Sequence, residues 1–255
     1  MIDLNKMLEL AKEAVILANA AILEVYHSED FEVEAKGDLS PLTRADRKSH
    51  QIISQVLEPS GLPILSEEGR NIPYEERRSW DYFWMVDPLD GTKEFLKKNG
   101  EFTVNIAIIH QQQPILGVVG IPVSGVIYYS AVGVGAFKIS NGVEVELVAH
   151  QALDLRKEGI RVVASRSHMD ERTMSFVETL NNPRLVSKGS SLKFMLLVDG
   201  EADIYPRFAP TMEWDVAASH AILNQVGINL ISTDDNQPLK YNKVNLLNSF
   251  FKSFA

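Results

Sequence analysis

The chain carries the sequence Asp-Pro-Leu-Asp-Gly-Thr at residues 87–92. An apolar, aromatic run, Tyr82–Val86, precedes it and predicts a buried strand. The proline and the glycine favour a turn at the end of that strand. Two carboxylates three residues apart repel each other unless a cation lies between them. Asp87 and Asp90, with the carbonyl of Leu89 between them, therefore predict a site for a hard metal ion.

The spacing of the two acids separates this motif from other acidic motifs. An EF-hand loop needs acids at every second position and a distal glutamate, which this stretch lacks. A phosphatase of the haloacid dehalogenase type has its two acids two residues apart, whereas here they are three apart. The 6 histidines are scattered and form no His-Glu-x-x-His motif, which disfavours a zinc hydrolase. An all-oxygen ligand set suits Mg²⁺, and two such ions can assist phosphoryl transfer.

The composition is that of a globular protein with a sizeable core. The chain has 255 residues, of which 45% are apolar and 23% charged. Its net charge of -9 gives no electrostatic basis for binding nucleic acid or an anionic membrane. The lack of cysteine excludes disulfides and thiolate sites and suits a cytoplasmic protein. We expect neither a signal peptide nor a membrane span, although peripheral membrane association stays open.

The first part of the chain predicts an α+β arrangement. Apolar residues spaced by three and four predict an amphipathic helix over about residues 3–27. Thr43, with Asp46 three residues later, predicts the start of a second helix that ends near Leu57. Residues 71–79 predict a loop. Strands are predicted at residues 31–35, 63–66, 103–109, 115–121, 126–130 and 135–139, the last four as an antiparallel meander.

After about residue 150 the pattern changes to alternating strands and helices, as in α/β proteins. We place a boundary near residues 148–158, between an N-terminal α+β subdomain (1–150) and a C-terminal α/β subdomain (151–255) of one compact unit. The sequence from Tyr241 onward gives little information. Strands are predicted at residues 161–164, 185–187, 202–205 and 228–231, and helices at residues 170–180, 191–198 and 214–226.

Further acidic residues lie at the ends of predicted elements. Asp46, Glu67-Glu68 and Asp215 each have an ordinary explanation, as a helix N-terminal residue or a solvated turn. Taken in order with residues 87–92 and the run from Trp214 to Ala218, they resemble the lithium-sensitive, magnesium-dependent phosphatases of the inositol monophosphatase superfamily. Within it the chain resembles the bacterial 3'(2'),5'-bisphosphate nucleotidases, through residues 65–68, 87–95, 100–107, 188–194 and 205–208.

The resemblance implies a fold and a set of metal ligands. The fold is a layered αβαβα sandwich of the inositol monophosphatase and fructose-1,6-bisphosphatase type. One metal ion is held by Glu67, Asp87 and the Leu89 carbonyl. A second is held by Asp87, Asp90 and Asp215, and two or three Mg²⁺ ions bind in all. Most ligands belong to the N-terminal subdomain, and Asp215 to the C-terminal one.

The resemblance also implies catalytic and substrate-binding residues. Thr92 and Asp46 form a hydrogen-bonded pair that orients and deprotonates the attacking water, without a covalent intermediate. A second phosphate is received ahead of a helix and neutralised by basic side chains, although capping alone would also explain the serines there. The substrate-binding residues are Glu67, Leu89, Asp90, Gly91, Thr92 and Asp215 at the first phosphate, and Gly189, Ser190, Ser191, Lys193 and Arg207 at the second.

The expected activity is removal of the 3'-phosphate from adenosine 3',5'-bisphosphate, which gives AMP and phosphate in sulfur metabolism. An inositol monophosphatase or a broad sugar-phosphate phosphatase is the alternative enzyme. A nucleotide-binding sensor on the same scaffold is the non-enzymatic alternative. The protein would act as a monomer or a homodimer. Ala209 and Ser219 stand where these nucleotidases usually have glycine, which bears on substrate fit and not on metal binding.

Overall fold

The computed structural model describes residues 2–28, 31, 33–35, 41–69, 71–149, 153–164 and 169–255. The helices are α1 (Leu4–His27), α2 (Arg44–Leu57), α3 (Tyr74–Arg77), α4 (Thr92–Leu96), α5 (Glu171–Glu178), α6 (Leu192–Val198) and α7 (Glu213–Gln225). The strands of the first half are β1 (Glu34–Ala35), β2 (Pro41–Leu42), β3 (Ile64–Ser66), β4 (Tyr82–Asp90), β5 (Thr103–His110), β6 (Gln113–Ile121), β7 (Val126–Ala131), β8 (Gly135–Ser140) and β9 (Val143–Glu146). Those of the second half are β10 (Arg161–Val163), β11 (Arg184–Val186), β12 (Ile204–Arg207), β13 (Leu230–Ser232) and β14 (Phe251–Phe254).

The strands form two large sheets. The first has seven strands in the order β3 to β9, and only β3 and β4 run parallel within it. The second has five strands in the order β11-β10-β12-β14-β13. Its strand β10 runs parallel to β11 and β12, whereas β14 runs antiparallel to both of its neighbours. Strands β1 and β2 pair separately.

The alternation of side chains along β4 explains why helices cover both faces of the first sheet. Trp84 and Val86 are buried in the same cluster as residues of α1 and α2. Phe83 and Met85, which point to the other face, are buried with residues of α6 and α7. The run is apolar at every position because both faces of this strand are covered.

The remaining layers follow from the same clusters. Tyr205 of β12 and Phe251 of β14 belong to the cluster that contains α6 and α7, so these helices lie between the two sheets. On the outer face of the second sheet, Val162 and Ile204 pack with Phe176 of α5. The order is helix, sheet, helix, sheet, helix, which confirms the predicted layered fold.

Most predicted elements are confirmed, including the first helix, the antiparallel meander and the alternating elements after residue 160. The capping box of Thr43 and Asp46 opens α2 as expected. The loop predicted at residues 71–79 was partly wrong, because it contains α3. Only Glu34–Ala35 forms a strand within the described part of residues 31–35. Strands β2, β9 and β14 were not predicted.

The turn predicted for residues 87–90 was also wrong in position. Strand β4 continues to Asp90, with an irregular register between Asp87 and Asp90, which pair with Asn105 and Thr103 of β5. The irregularity falls at Pro88, which has no N–H for the ladder. The chain turns at Gly91, where φ is 94°. Among the described residues, no helix combines the length and the apolar character needed to cross a membrane.

Candidate active site

Two hydrogen bonds, one from α2 and one within the motif, and one further polar contact shape the 87–92 motif. The hydroxyl of Ser49 donates to the carbonyl oxygen of Pro88 at 2.6 Å. The N–H of Leu89 donates to Oδ1 of Asp87 at 3.0 Å. The hydroxyl of Thr92 lies 3.4 Å from the carbonyl oxygen of Leu89. The bulge therefore has a defined shape, since its polar groups are paired with buried neighbours.

Four acidic side chains, Glu67, Asp87, Asp90 and Asp215, form what we call the carboxylate cluster. Asp87 is 1% exposed, and burial raises its pKa well above the ordinary value, helped by the charges of the other three. Burial also raises the pKa of Asp215 to about 8, together with the charge of Asp90. Four acids this close in a poorly hydrated site do not all ionise unless a cation compensates them.

The donor set of the carboxylate cluster fits a hard divalent cation. Asp87 Oδ1 accepts from the N–H of Leu89, and Asp215 Oδ2 accepts from the N–H of Met212 at 2.8 Å. Hydroxyl groups hold Oδ2 of Asp90, so each of these three carboxylates keeps one oxygen for a cation. Within the part of the chain that is described, no group of three or more histidine, aspartate or glutamate side chains is arranged to hold a metal ion. An all-oxygen set suits Mg²⁺.

The predicted pair of Thr92 and Asp46 is hydrogen bonded. The hydroxyl of Thr92 donates to Oδ1 of Asp46 at 3.2 Å, and Asp46 is 1% exposed. Oδ2 of Asp46 accepts the N–H and the hydroxyl of Thr43, at 2.7 and 2.5 Å. The start of α2 thus fixes the carboxylate, and the carboxylate fixes the Thr92 hydroxyl. The catalytic role of the pair stays a prediction.

The segment predicted to receive a second phosphate, residues 189–191, makes hydrogen bonds to acidic side chains of the site. The N–H of Gly189 donates to Oε2 of Glu101 at 2.8 Å. The hydroxyls of Ser190 and Ser191 lie 2.6 and 2.9 Å from Oδ2 of Asp90. The structure therefore brings Ser190 and Ser191 to the carboxylate cluster and Gly189 to Glu101, while contact of this segment with a phosphate stays a prediction.

Lys193 and Arg207 line one small cleft of about 40 Å³, together with Tyr205 and Phe208. The charge of Arg207 acts on Asp215, whose pKa it lowers against the larger effect of burial. The buried Nε of Arg207 has no hydrogen-bond partner among the described residues. Two basic side chains thus lie in one cleft, and one of them is close enough to Asp215 for its charge to act there, while their contact with a phosphate stays a prediction.

Several residues that shape the site were not singled out from the sequence. Thr103 and Asn105 are buried polar residues on one side of β5, and they contact the hydroxyls of Ser190 and Ser191. Their spacing of two residues in an otherwise apolar strand could have indicated that both side chains lie on one face of the sheet. Glu213 is 0% exposed and accepts the N–H of Asn242, which anchors the start of α7.

The layered fold and the carboxylate cluster together define a class of phosphatase. A family model, the inositol monophosphatase family, matches residues 3–250 of the chain. The chain therefore belongs to the inositol monophosphatase family.

Similar proteins narrow this class. The 3'(2'),5'-bisphosphate nucleotidase CysQ of Salmonella typhimurium is 45% identical over 224 residues, which cover 87% of this chain and 88% of that protein. CysQ of Escherichia coli K12 is 43% identical over 242 residues, 93% of each chain. The crystal structure of CysQ from Bacteroides thetaiotaomicron is 42% identical, with a TM-score of 0.86, and covers 98% of this chain and 97% of its own. The structure of staphylococcal inositol monophosphatase II with bound inositol monophosphate has a TM-score of 0.77 at 20% identity. The match covers 98% of this chain and 88% of that one, and it shows the shared fold alone.

Proposed function

We propose that this protein is a Mg²⁺-dependent phosphatase that hydrolyses the 3'-phosphate of adenosine 3',5'-bisphosphate. A water oxygen bonds to phosphorus while the bond between phosphorus and the 3'-oxygen breaks, and the 3'-oxygen takes up a proton. The products are AMP and phosphate. The cleft that contains Lys193 and Arg207 beside the carboxylate cluster carries this proposal, because it offers two cations to a second phosphate. The names of the relatives at 43 and 45% identity support the same substrate.

The carboxylate cluster would hold two or three Mg²⁺ ions. Glu67, Asp87 and the Leu89 carbonyl would bind one, and Asp87, Asp90 and Asp215 another. When bound, Mg²⁺ would offset the charge of the carboxylates and the phosphate and lower the pKa of a bound water. Compensation of this kind is what the raised pKa values of Asp87 and Asp215 require.

Residues of the chain would position and deprotonate the attacking water. The hydroxyl proton of Thr92 is donated to Asp46, so the lone pairs of Thr92 can accept a proton from a water molecule. The carboxylate of Asp46 can take up the proton through Thr92, a general-base role. Lys193 and Arg207 would bind the 5'-phosphate, and Phe208 would border the base.

The substrate is tested by comparing kcat/KM for adenosine 3',5'-bisphosphate and for inositol monophosphate in the presence of Mg²⁺. We expect a clear preference for the bisphosphate and inhibition by millimolar Li⁺. A preference for the inositol ester would favour the alternative enzyme. Mg²⁺-dependent binding of the nucleotide without phosphate release would instead identify a sensor.

The metal ligands are tested with Asp90→Asn. Removing a residue that is hydrogen bonded to a metal ligand typically costs roughly 10–100-fold. Asp90→Asn changes a proposed ligand itself, so we expect kcat to fall by more than that. The fold should survive, since the amide keeps the shape of the side chain. Glu68→Gln, beside the ligand Glu67, is the matched control and should keep wild-type turnover. Equal turnover of Asp90→Asn and wild type would refute the metal assignment.

A further inference from the structure

Strand β5 carries two polar side chains into the core. Thr103 is 0% and Asn105 1% exposed, whereas their neighbours Val104 and Ile106 are apolar. Burying polar groups costs free energy unless they are hydrogen bonded, and replacing them by apolar groups can be neutral. Two buried polar residues beside the carboxylate cluster therefore need hydrogen-bond partners. Both have a hydroxyl partner in the segment before α6.

The first connection runs from Asn105 through Ser191. The amide nitrogen of Asn105, which can only donate, lies 3.0 Å from the Ser191 oxygen. The single hydroxyl proton of Ser191 is therefore free to be donated onward. Two oxygens share this one proton: Oδ2 of Asp90 at 2.9 Å and the main-chain carbonyl oxygen of Asp215 at 3.0 Å. One buried hydroxyl thus joins two predicted metal ligands that are far apart in sequence.

The second connection is parallel to the first. The hydroxyl of Thr103 lies 2.7 Å from that of Ser190, and Ser190 donates to Oδ2 of Asp90 at 2.6 Å. Ser190 has a left-handed φ of 50°, which is unfavourable for a residue other than glycine. The conformation is held by these contacts. Oδ2 of Asp90 is consequently fixed by two hydroxyls.

We propose that Asn105 and Ser191 are positioning residues, which orient the carboxylate of Asp90 for a divalent cation. Ser191 is 0% exposed and its oxygen already has a donor and acceptors, so its place is behind the ligand and not on the substrate. The inference rests on the proposed function only in taking Asp90 as a metal ligand. A positioned carboxylate binds better because its orientation is set before the cation arrives.

The test is calorimetric titration of the metal-free protein with Mg²⁺ alone. We expect Ser191→Ala and Asn105→Ala each to weaken Mg²⁺ binding by about 10-fold, the lower end for such partners. Asn105 and Ser191 act on Asp90 through the same chain of hydrogen bonds. The Mg²⁺ affinity of the double variant should therefore be no lower than that of the single variant with the lower affinity. Ser130→Ala removes another fully buried serine, whose hydroxyl has no partner among the described residues, and should leave Mg²⁺ binding unchanged.

A second measurement separates positioning from a structural effect. The loss of kcat in Ser191→Ala at low Mg²⁺ should be recovered at high Mg²⁺, which a damaged fold would not allow. If Asn105→Ala fails to fold, Ser191→Ala alone decides the question.

Three outcomes would overturn the inference. They are unchanged Mg²⁺ affinity in Ser191→Ala, additive losses in the double variant, and a raised KM for the bisphosphate but not for adenosine 3'-monophosphate at unchanged Mg²⁺ affinity. The last would make Ser191 a phosphate ligand. A wild-type protein that binds Mg²⁺ but does not hydrolyse the bisphosphate would refute the proposed function alone. A wild type that binds no Mg²⁺ would refute both.

Discussion

The hydroxyl of Thr92 is the group that we propose to orient the attacking water. It donates to Asp46, which in turn is held by Thr43 at the start of α2. A capping box is usually a device of helix stability. Here the same carboxylate uses its second oxygen to orient a hydroxyl from α4, so a local helix signal and the proposed catalytic pair share one side chain.

At this residue the test is to remove the hydroxyl while keeping the shape. Thr92→Val should lower kcat by about 10²–10⁴-fold, the range of general acid–base catalysis, with little change in KM. Thr92→Ser keeps the hydroxyl and serves as the matched control. Steady-state kinetics on the bisphosphate measure both. Valine and serine variants with equal kcat would show that the hydroxyl has no part in the reaction.

At the scale of elements, glycines in β6 bring helices close to both faces of the first sheet. A Cβ atom at Gly117 would lie 2.2 Å from the carbonyl oxygen of Ala218 in α7. On the other face, a Cβ atom at Gly120 would lie 2.2 Å from Cγ1 of Val15 in α1. The close approach of α7 matters for the site, because this helix carries Asp215.

Gly117→Ala tests this contact between elements. The added methyl group meets backbone, which cannot rotate away, so we expect a loss of about 3 kcal/mol in the free energy of unfolding. Gly133→Ala is the control, since Gly133 has open space around it and a φ of 80°. It should cost about 1 kcal/mol from the left-handed backbone alone. Urea unfolding gives both values, and equal losses would contradict the packing argument.

At the scale of the whole molecule, a buried histidine links α7 to the C-terminal part of the chain. His220 is 0% exposed, and its Nδ1 lies 2.8 Å from the hydroxyl oxygen of Tyr241. Burial lowers the pKa of His220 to about 3. The folded protein therefore keeps the imidazole neutral in a range where the unfolded chain, with an ordinary pKa near 6.5, protonates it.

This difference predicts a pH dependence of global stability. Since the unfolded state binds the extra proton, the His220 contribution falls as pH falls below about 6.5, by about 2 kcal/mol between pH 7 and pH 5. Urea unfolding at the two pH values should show that His220→Gln loses about 2 kcal/mol less than wild type does over this range. Tyr241→Phe removes the hydrogen bond but keeps the imidazole, so it should retain the wild-type pH dependence. An identical pH dependence in His220→Gln and wild type would refute the assignment.

Local patterns in the sequence determined most elements and the chemical class of the site. Periods of two and of three to four residues specify strands and helices because they reflect which side faces the core. The capping box at Thr43 and the acidic residues of the 87–92 motif are equally local. Thus the layered fold and the family could be predicted from sequence, whereas the oxygen-ligand metal site stays a prediction.

Only the tertiary structure decided how distant residues meet. The contact of Asn105 with Ser191 spans 86 residues, and that of Arg77 with Asn242 spans 165. Strand β14, from a part of the chain with little local signal, lies inside the second sheet. Such contacts depend on packing between layers, which no local period encodes. The sequence by itself therefore determined the elements and the acidic motif, and the fold decided which distant side chains hold that motif in place.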